Sequence, residues 1–215
     1  MGYTFLDIAT TPSVAAAQTA YGSRDLWTDF QGGRRSEYLG DAERAFIAER
    51  DGFYLSTVSE SGWPYVQYRG GPPGFLKVLD DKTLAFADFR GNRQYISVGN
   101  LGANDRAALI LMDYAHRRRL KIYARVAVQN IADDPALAQV LSPTGYKAKV
   151  ERAVRLTVEA YDWNCPQHIT PRYTLAEIEA VVLPLRQRAE ALEAENRTLR
   201  EAKEANSKSR PGVPR

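Results

Sequence analysis

The sequence predicts a mainly β fold, an antiparallel barrel with short helical additions, on three observations. Runs rich in aromatic and β-branched residues recur between positions 53 and 161, about six or seven in all, and most are joined by tight turns. The helical stretches between them are short, unlike the crossover helices of alternating βαβ units. With 44% hydrophobic and 26% charged residues, the 215-residue chain carries enough apolar material for one core.

Residues 1–37 read as an N-terminal arm, with a helix over 13–20 capped by Ser13 and a loop around Gly22, Gly32, Gly33, Arg34 and Arg35. An amphipathic helix follows over 41–50, capped by Asp41, with Phe46 and Ile47 facing inward. Strands over 53–60 and 63–69 flank the turn Ser61-Gly62 and form a hairpin. The run Gly70-Gly71-Pro72-Pro73-Gly74 is a rigid loop. Strands over 75–79 and 83–88 come next, then a helix over 93–101. A strand over 107–114 and its partner over 120–131 meet at the basic turn His116-Arg117-Arg118-Arg119. Short helices are expected from Asp133 and over 146–152, and a last strand over 154–161.

From Leu175 the pattern changes. Ile178, Val182, Leu185, Ala189, Leu192 and Leu199 alternate four and three apart, with Asn196 at the remaining seam position. This predicts an amphipathic helix packed on its own barrel or on a partner subunit, with a coiled coil as the alternative, and a kink or restart at Pro184. The expected organisation is therefore an arm at 1–37, a barrel domain at 38–173, a helix at 174–205 and a disordered tail at 206–215.

Several function classes are disfavoured. A net charge of +3 is too small for a dedicated nucleic-acid binder. The single cysteine, Cys165, can form no intramolecular disulfide and no metal-binding pair, and two histidines, His116 and His168, cannot make a multi-histidine metal site. No signal peptide and no membrane span is expected, and a reducing, cytoplasmic setting is. Nucleophile-elbow, P-loop and zinc-protease motifs are absent.

Three segments can carry chemistry. In 85–101 a strand leaves through Asp88, Arg90, Gly91, Asn92, Arg93 and Gln94 into a helix. Helix amides plus arginine suit a phosphate, and Gly91 permits a positive φ; a solvated helix start is the competing explanation. The irregular stretch 160–173 concentrates Trp163, Cys165, Gln167, His168 and Arg172, which could wall a flat heterocycle or cap the barrel. Period-two alternation puts Tyr65, Gln67 and Arg69 on one strand face.

In their order, Gly62-Trp63-Pro64-Tyr65-Val66-Gln67, the loop 70–74, Phe86-Ala87-Asp88-Phe89-Arg90-Gly91-Asn92-Arg93-Gln94, Arg119-Leu120-Lys121-Ile122-Tyr123 and 162–169 resemble the pyridoxamine 5′-phosphate oxidase-related FMN-binding proteins, in a bacterial branch of unassigned substrate. The resemblance spans about residues 20 to 190. It implies a split β-barrel homodimer with FMN at the interface. Asn92 and Arg93 would lie at the phosphate, with Gln94 where the oxidase tends to have lysine and Arg69 compensating. Arg119 would stand near the flavin ring, and Trp163, Gln167 and Arg172 would follow from the segment after the last strand. The oxidase's C-terminal substrate-binding run is missing, so a substrate other than a B6 phosphate is expected.

The function expected on this basis is a flavin-dependent oxidoreductase acting on an unidentified small molecule, with His168 and Tyr65 as candidates for substrate orientation or proton transfer. The alternatives are a non-catalytic flavin carrier or sensor, or a split barrel holding haem or deazaflavin.

Overall fold

A computed structural model describes residues 4–28, 36–163 and 166–208. Asn164, Cys165, the loop residues 32–35 and the tail from 209 on lie outside the described residues. The chain divides into two compact units, Met1–Thr170 and Pro171–Arg215.

The first unit opens with helices α1 (Thr4–Ala9), α2 (Pro12–Ala20) and α3 (Arg24–Thr28), followed by α4 (Asp41–Ala48). Strands β1 (Gly52–Val58), β2 (Pro64–Gly70), β3 (Lys77–Val78) and β4 (Thr83–Phe89) come next, then helix α5 (Ile96–Ala103). Strands β5 (Arg106–Asp113) and β6 (Arg118–Asn130), helix α6 (Pro135–Leu141) and strand β7 (Val150–Trp163) complete it. All seven strands form one antiparallel sheet in the order β2-β1-β5-β6-β7-β4-β3. The sheet curls into a split barrel whose ends, β2 and β3, are not hydrogen-bonded to each other.

Alternation sets the core. On β5, Ala107, Leu109, Leu111 and Asp113 are buried while the residues between them are not. Leu109 lies opposite Leu55 on β1 and Ile122 on β6, and Leu111 opposite Phe53 and Leu120, so one inward row runs across three strands. Phe53 stacks on Phe75 at 5.6 Å and meets Phe86 edge-on at 5.2 Å. Each such fully buried side chain stabilises the fold by about 1.5–3 kcal/mol. On the other face of β4, Ala85 and Ala87 pack with Ala153 against Leu137 and Leu141 of α6; small side chains let the helix approach the sheet.

Several boundaries differ from expectation, each for a local reason. The β1–β2 hairpin turns through three residues rather than two: Ser59 N–H still donates to Trp63 O at 2.9 Å, and Gly62 takes φ +85° at the left-handed position that such loops require. Helix α2 is capped by Thr11 rather than Ser13, since Pro12 occupies its first turn. Helix α4 is capped at Gly40 rather than Asp41, with the Gly40 N–H donated to Glu43 Oε2 at 3.0 Å. The strand expected at 75–79 shrinks to Lys77–Val78 because Phe75 and Leu76 turn into the core. No helix forms over 146–152: Gly145 turns at φ +75°, and Val150 starts β7 by pairing with Phe89. The N-terminal segment rests on the sheet, with Phe5 stacked on Tyr123 at 4.6 Å.

The second unit holds helix α7 (Leu175–Lys208), uninterrupted at Pro184, where the sequence predicted a kink or restart. Its start is a reciprocal cap: Thr174 N–H donates to Glu177 Oε2 at 2.7 Å, and Glu177 N–H donates to Thr174 Oγ1 at 3.2 Å. No helix among the described residues is long and apolar enough to cross a membrane.

Candidate functional site

A cleft of about 360 Å³ opens where the ends of β2 and β4 approach the link into α5. Its base is a charge cluster. Asp88, the last residue of β4 before a β-bulge, is 3% exposed. Its Oδ1 accepts a hydrogen bond from Arg69 Nη1 on β2 at 2.6 Å, and its Oδ2 accepts one from Arg152 Nε on β7 at 2.8 Å. One carboxylate thus ties three strands together, joining the β2 end of the split sheet to β4 and β7. Burial works against the charge of Arg152, but the hydrogen bond and attraction of Asp88 outweigh it and hold its pKa above the ordinary arginine value.

The wall above is the link 90–95. Asn92 Oδ1 accepts the Gln94 N–H at 3.1 Å, forming an Asx turn. Arg93 and Tyr95 then take positive φ, +64° and +54°. These two left-handed residues delay α5 to Ile96, where the sequence predicted a helix from Arg93. The positive φ expected at Gly91 falls on them instead. Strain of about 1–3 kcal/mol at such non-glycine positions collects at ligand-binding turns. Arg152 stacks over the Tyr95 ring at 4.7 Å, and the Tyr95 hydroxyl donates to Glu151 Oε2 at 3.3 Å. Helix α5 is pinned across the floor: Ser97 Oγ donates to Gln67 Oε1 at 3.1 Å, and Asn100 Nδ2 to Thr57 Oγ1 at 3.0 Å.

The electrostatics favour an anion. Arg69, Arg90, Arg93 and Arg152 line the cleft, against Asp88 and the Glu151 that pairs with Arg90 and Arg152. The excess is two positive charges, opposite in sign and similar in size to a phosphomonoester dianion. Among the described residues Arg93 has no ion-pair partner. The Nε–H of Arg69 is buried without an acceptor, an unmet donor beside this cleft.

The family model described as pyridoxamine 5′-phosphate oxidase matches residues 39–163, which contain the whole barrel and the whole cleft. The chain belongs to this family. Similar solved structures include an FMN-binding protein from Syntrophomonas wolfei, 16% identical, covering 68% of this chain and 97% of that one with a TM-score of 0.46. An F420 reductase is 17% identical, covering 58% and 98% with a TM-score of 0.41. HutZ, the heme storage protein of Vibrio cholerae, is 18% identical, covering 58% and 94% with a TM-score of 0.39. No curated protein matches the chain.

Within this pyridoxamine 5′-phosphate oxidase-family barrel, the predicted site residues fall into two groups. Tyr65, Gln67, Arg69, Asp88, Asn92, Arg93 and Gln94 all line the one cleft. Arg119, Trp163, Gln167, His168 and Arg172 do not. Trp163 donates its indole N–H to the buried Glu43 at 2.7 Å, meets Phe46 edge-on at 4.8 Å and lies under the Arg118 guanidinium at 4.8 Å. Arg119 is half-buried on β6 opposite Met112, and its Nε–H is buried without an acceptor. Gln167 and His168 are exposed on the turn before the buried Ile169, and His168 takes φ +62°. Arg172 is exposed in the second unit. Cys165 lies outside the described residues.

Sequence reasoning missed Arg152, Glu151 and Tyr146. All three sit in the stretch read as a helix. Read as strand, 150–163 puts Arg152 opposite Asp88 in register, and an arginine beside an inward aspartate is a signal that the sequence does carry. No group of three or more His, Cys, Asp or Glu suited to a metal occurs among the described residues.

Proposed function

We propose that this protein binds FMN and works as a flavin-dependent oxidoreductase on a small molecule, as a homodimer whose two sites each draw on both copies. The observation that carries the reading is the cleft with two surplus positive charges, an unmet Arg69 donor and a strained Asx turn. A phosphate there would meet the Arg93 guanidinium and the Arg69 Nε–H, with Asn92 and Gln94 shaping the turn. Asp88 takes a positioning role: its oxygens are occupied by Arg69 and Arg152, so it aims those arginines rather than touching an anion.

Bound flavin would supply hydride transfer. The chain's own part is to bind, orient and exclude water. Tyr65 and Gln67 lie on the cleft side of β2 and can hydrogen-bond a flat heteroaromatic ring. Arg119, Trp163, Gln167 and Arg172 of the partner subunit would close the site. Trp163 would offer ring carbons only, since its N–H is held by Glu43. His168 is exposed and can orient a substrate or move a proton at a ring nitrogen.

The test is the absorption spectrum of the purified protein, with mass analysis of what denaturation releases, followed by FMN titration of Arg93→Gln. Flavin bands, a released mass of FMN and roughly 10- to 100-fold weaker binding by the variant are expected, the loss of one charge-assisted hydrogen bond. A protein that takes up no added FMN refutes the flavin reading, and a haem or deazaflavin spectrum keeps the fold and replaces the chemistry.

A further inference from the structure

Helix α7 carries a second recognition surface that the flavin reading does not use. Over Leu175–Lys208 it forms one continuous helix, about 50 Å long at 1.5 Å per residue. Its leucines are exposed: Leu185 at 66%, Leu192 at 40% and Leu199 at 60%. These three recur every seven residues, and Ile178 extends the row one heptad earlier. Val182, Ala189, Asn196 and Lys203 occupy the companion row, each four residues after a member of the first. In heptad terms the first row is d and the second a.

We propose that α7 pairs with α7 of a second copy of this chain as a parallel, in-register, two-stranded coiled coil. Three independent features of the helix specify that partner. Leucine throughout d from 185 on suits two strands. Asn196 stands at a single a position, where a buried asparagine is satisfied by its own counterpart only when the strands are parallel and in register. The flanking positions are charge-complementary to themselves. In a parallel pair each g residue faces the e residue five positions on in the other strand. Arg188 then meets Glu193 of the second copy, and Glu195 meets Arg200, both of opposite sign and both repeated by symmetry. An unrelated partner helix would not be specified by self-complementary charges. Pro184 falls at c, away from the seam, so its missing N–H costs the helix one internal bond without disturbing the interface. The inference stands apart from the flavin proposal, since it requires neither cofactor nor cleft.

Site-directed disulfide trapping in the full-length chain tests it, in a Cys165→Ser background. Leu185→Cys and Leu199→Cys, made separately, should each cross-link to their own counterpart on mild oxidation. Equivalent d positions of a parallel pair fall within the roughly 4.4–6.8 Å Cα separation a disulfide spans. Ala194→Cys, at the outward f position, should stay monomeric on a non-reducing gel. Cross-linking at neither d position, at only one of them, or equally at Ala194→Cys overturns the proposal; an antiparallel pair cannot trap both 185 and 199. A second measurement leaves the leucine row otherwise intact. Glu193→Arg added to Leu199→Cys should slow cross-linking by opposing Arg188, and Arg188→Glu added to that should restore the rate. Cross-linking indifferent to both charge changes overturns the pairing register.

Discussion

Replacing Asp88 by alanine removes the one carboxylate that joins β2, β4 and β7, and it should cost the fold about 3 kcal/mol. Two routes reach that magnitude. Asp88 forms two charge-assisted hydrogen bonds, at 2.6 and 2.8 Å, each contributing about 1.5–3 kcal/mol. Breaking a buried pair by deleting one partner costs roughly 3–5 kcal/mol because the remaining charge is stranded. Here the stranded groups are Arg69 and Arg152, whose side chains keep 16% and 21% exposure, so water recovers part of the loss and the lower end applies. Denaturant unfolding followed by tryptophan fluorescence, with a thermal scan alongside, measures it. At this chain length about 3 kcal/mol is a fall in Tm of roughly 6–12 °C. Asp88→Asn keeps one acceptor and should lose about half as much. A loss below about 1 kcal/mol for the alanine variant, the level of an exposed pair, refutes the assignment of Asp88 as the clamp of the split sheet.

Three further outcomes are expected. Gly74→Ala should destabilise by about 1–3 kcal/mol, because Gly74 has φ +73° and an added Cβ would stand 2.9 Å from the Ala48 carbonyl oxygen; chemical denaturation reads it. Trp163→Phe should cost about 1.5–3 kcal/mol by leaving the buried Glu43 without its 2.7 Å indole donor, and Trp163→Phe combined with Glu43→Gln should recover part of it. Burial opposes the charge of Asp113, but the His116 backbone N–H and the Arg50 guanidinium outweigh it and hold its pKa below the ordinary carboxylate value. Its stabilisation is therefore complete above the unfolded-state pKa and disappears as pH falls through the folded one. The stability gap between the wild type and Asp113→Asn should be full at pH 7 and close below about pH 4.

What was legible in the sequence was whatever a local period expresses. The Tyr65-Gln67-Arg69 face and the heptad row of α7 follow from alternation or sevenfold spacing, which one segment states by itself, whereas β5 is apolar at successive positions from 107 to 112 and its inward row is set by pairing with β1 and β6. What was not legible depended on pairings made across the sheet. Arg152 is a cleft residue only because β7 sets it opposite Asp88, 64 residues away. Residues 146–152 looked helical, and only pairing with Phe89 makes 150 the start of a strand. The left-handed Arg93 and Tyr95 contradict residue preference outright. They are tolerated where the Asn92 side chain, the Arg152–Tyr95 stack and the α5 anchors over-determine the turn.

The two groups of site residues bear on how a shared site has to be built. Arg152 and Trp163 both lie on β7, eleven positions apart, which is roughly 35 Å of strand at about 3.3 Å per residue. Gln67, Arg69 and Arg93 cluster at the Arg152 end, while Arg119 and Trp163 sit by the β5–β6 hairpin. Across the sheet, however, the register runs Arg69, Phe53, Leu111, Leu120, Trp163, so the two groups come within four strands of each other, about 19 Å at about 4.8 Å per strand. If the second group of another copy serves the same cofactor, as proposed above, the two sites of a symmetric dimer form or fail together. A parallel α7 pair would hold two copies at high effective concentration, so a coil of two α7 helices and a site assembled between barrels would reinforce one another.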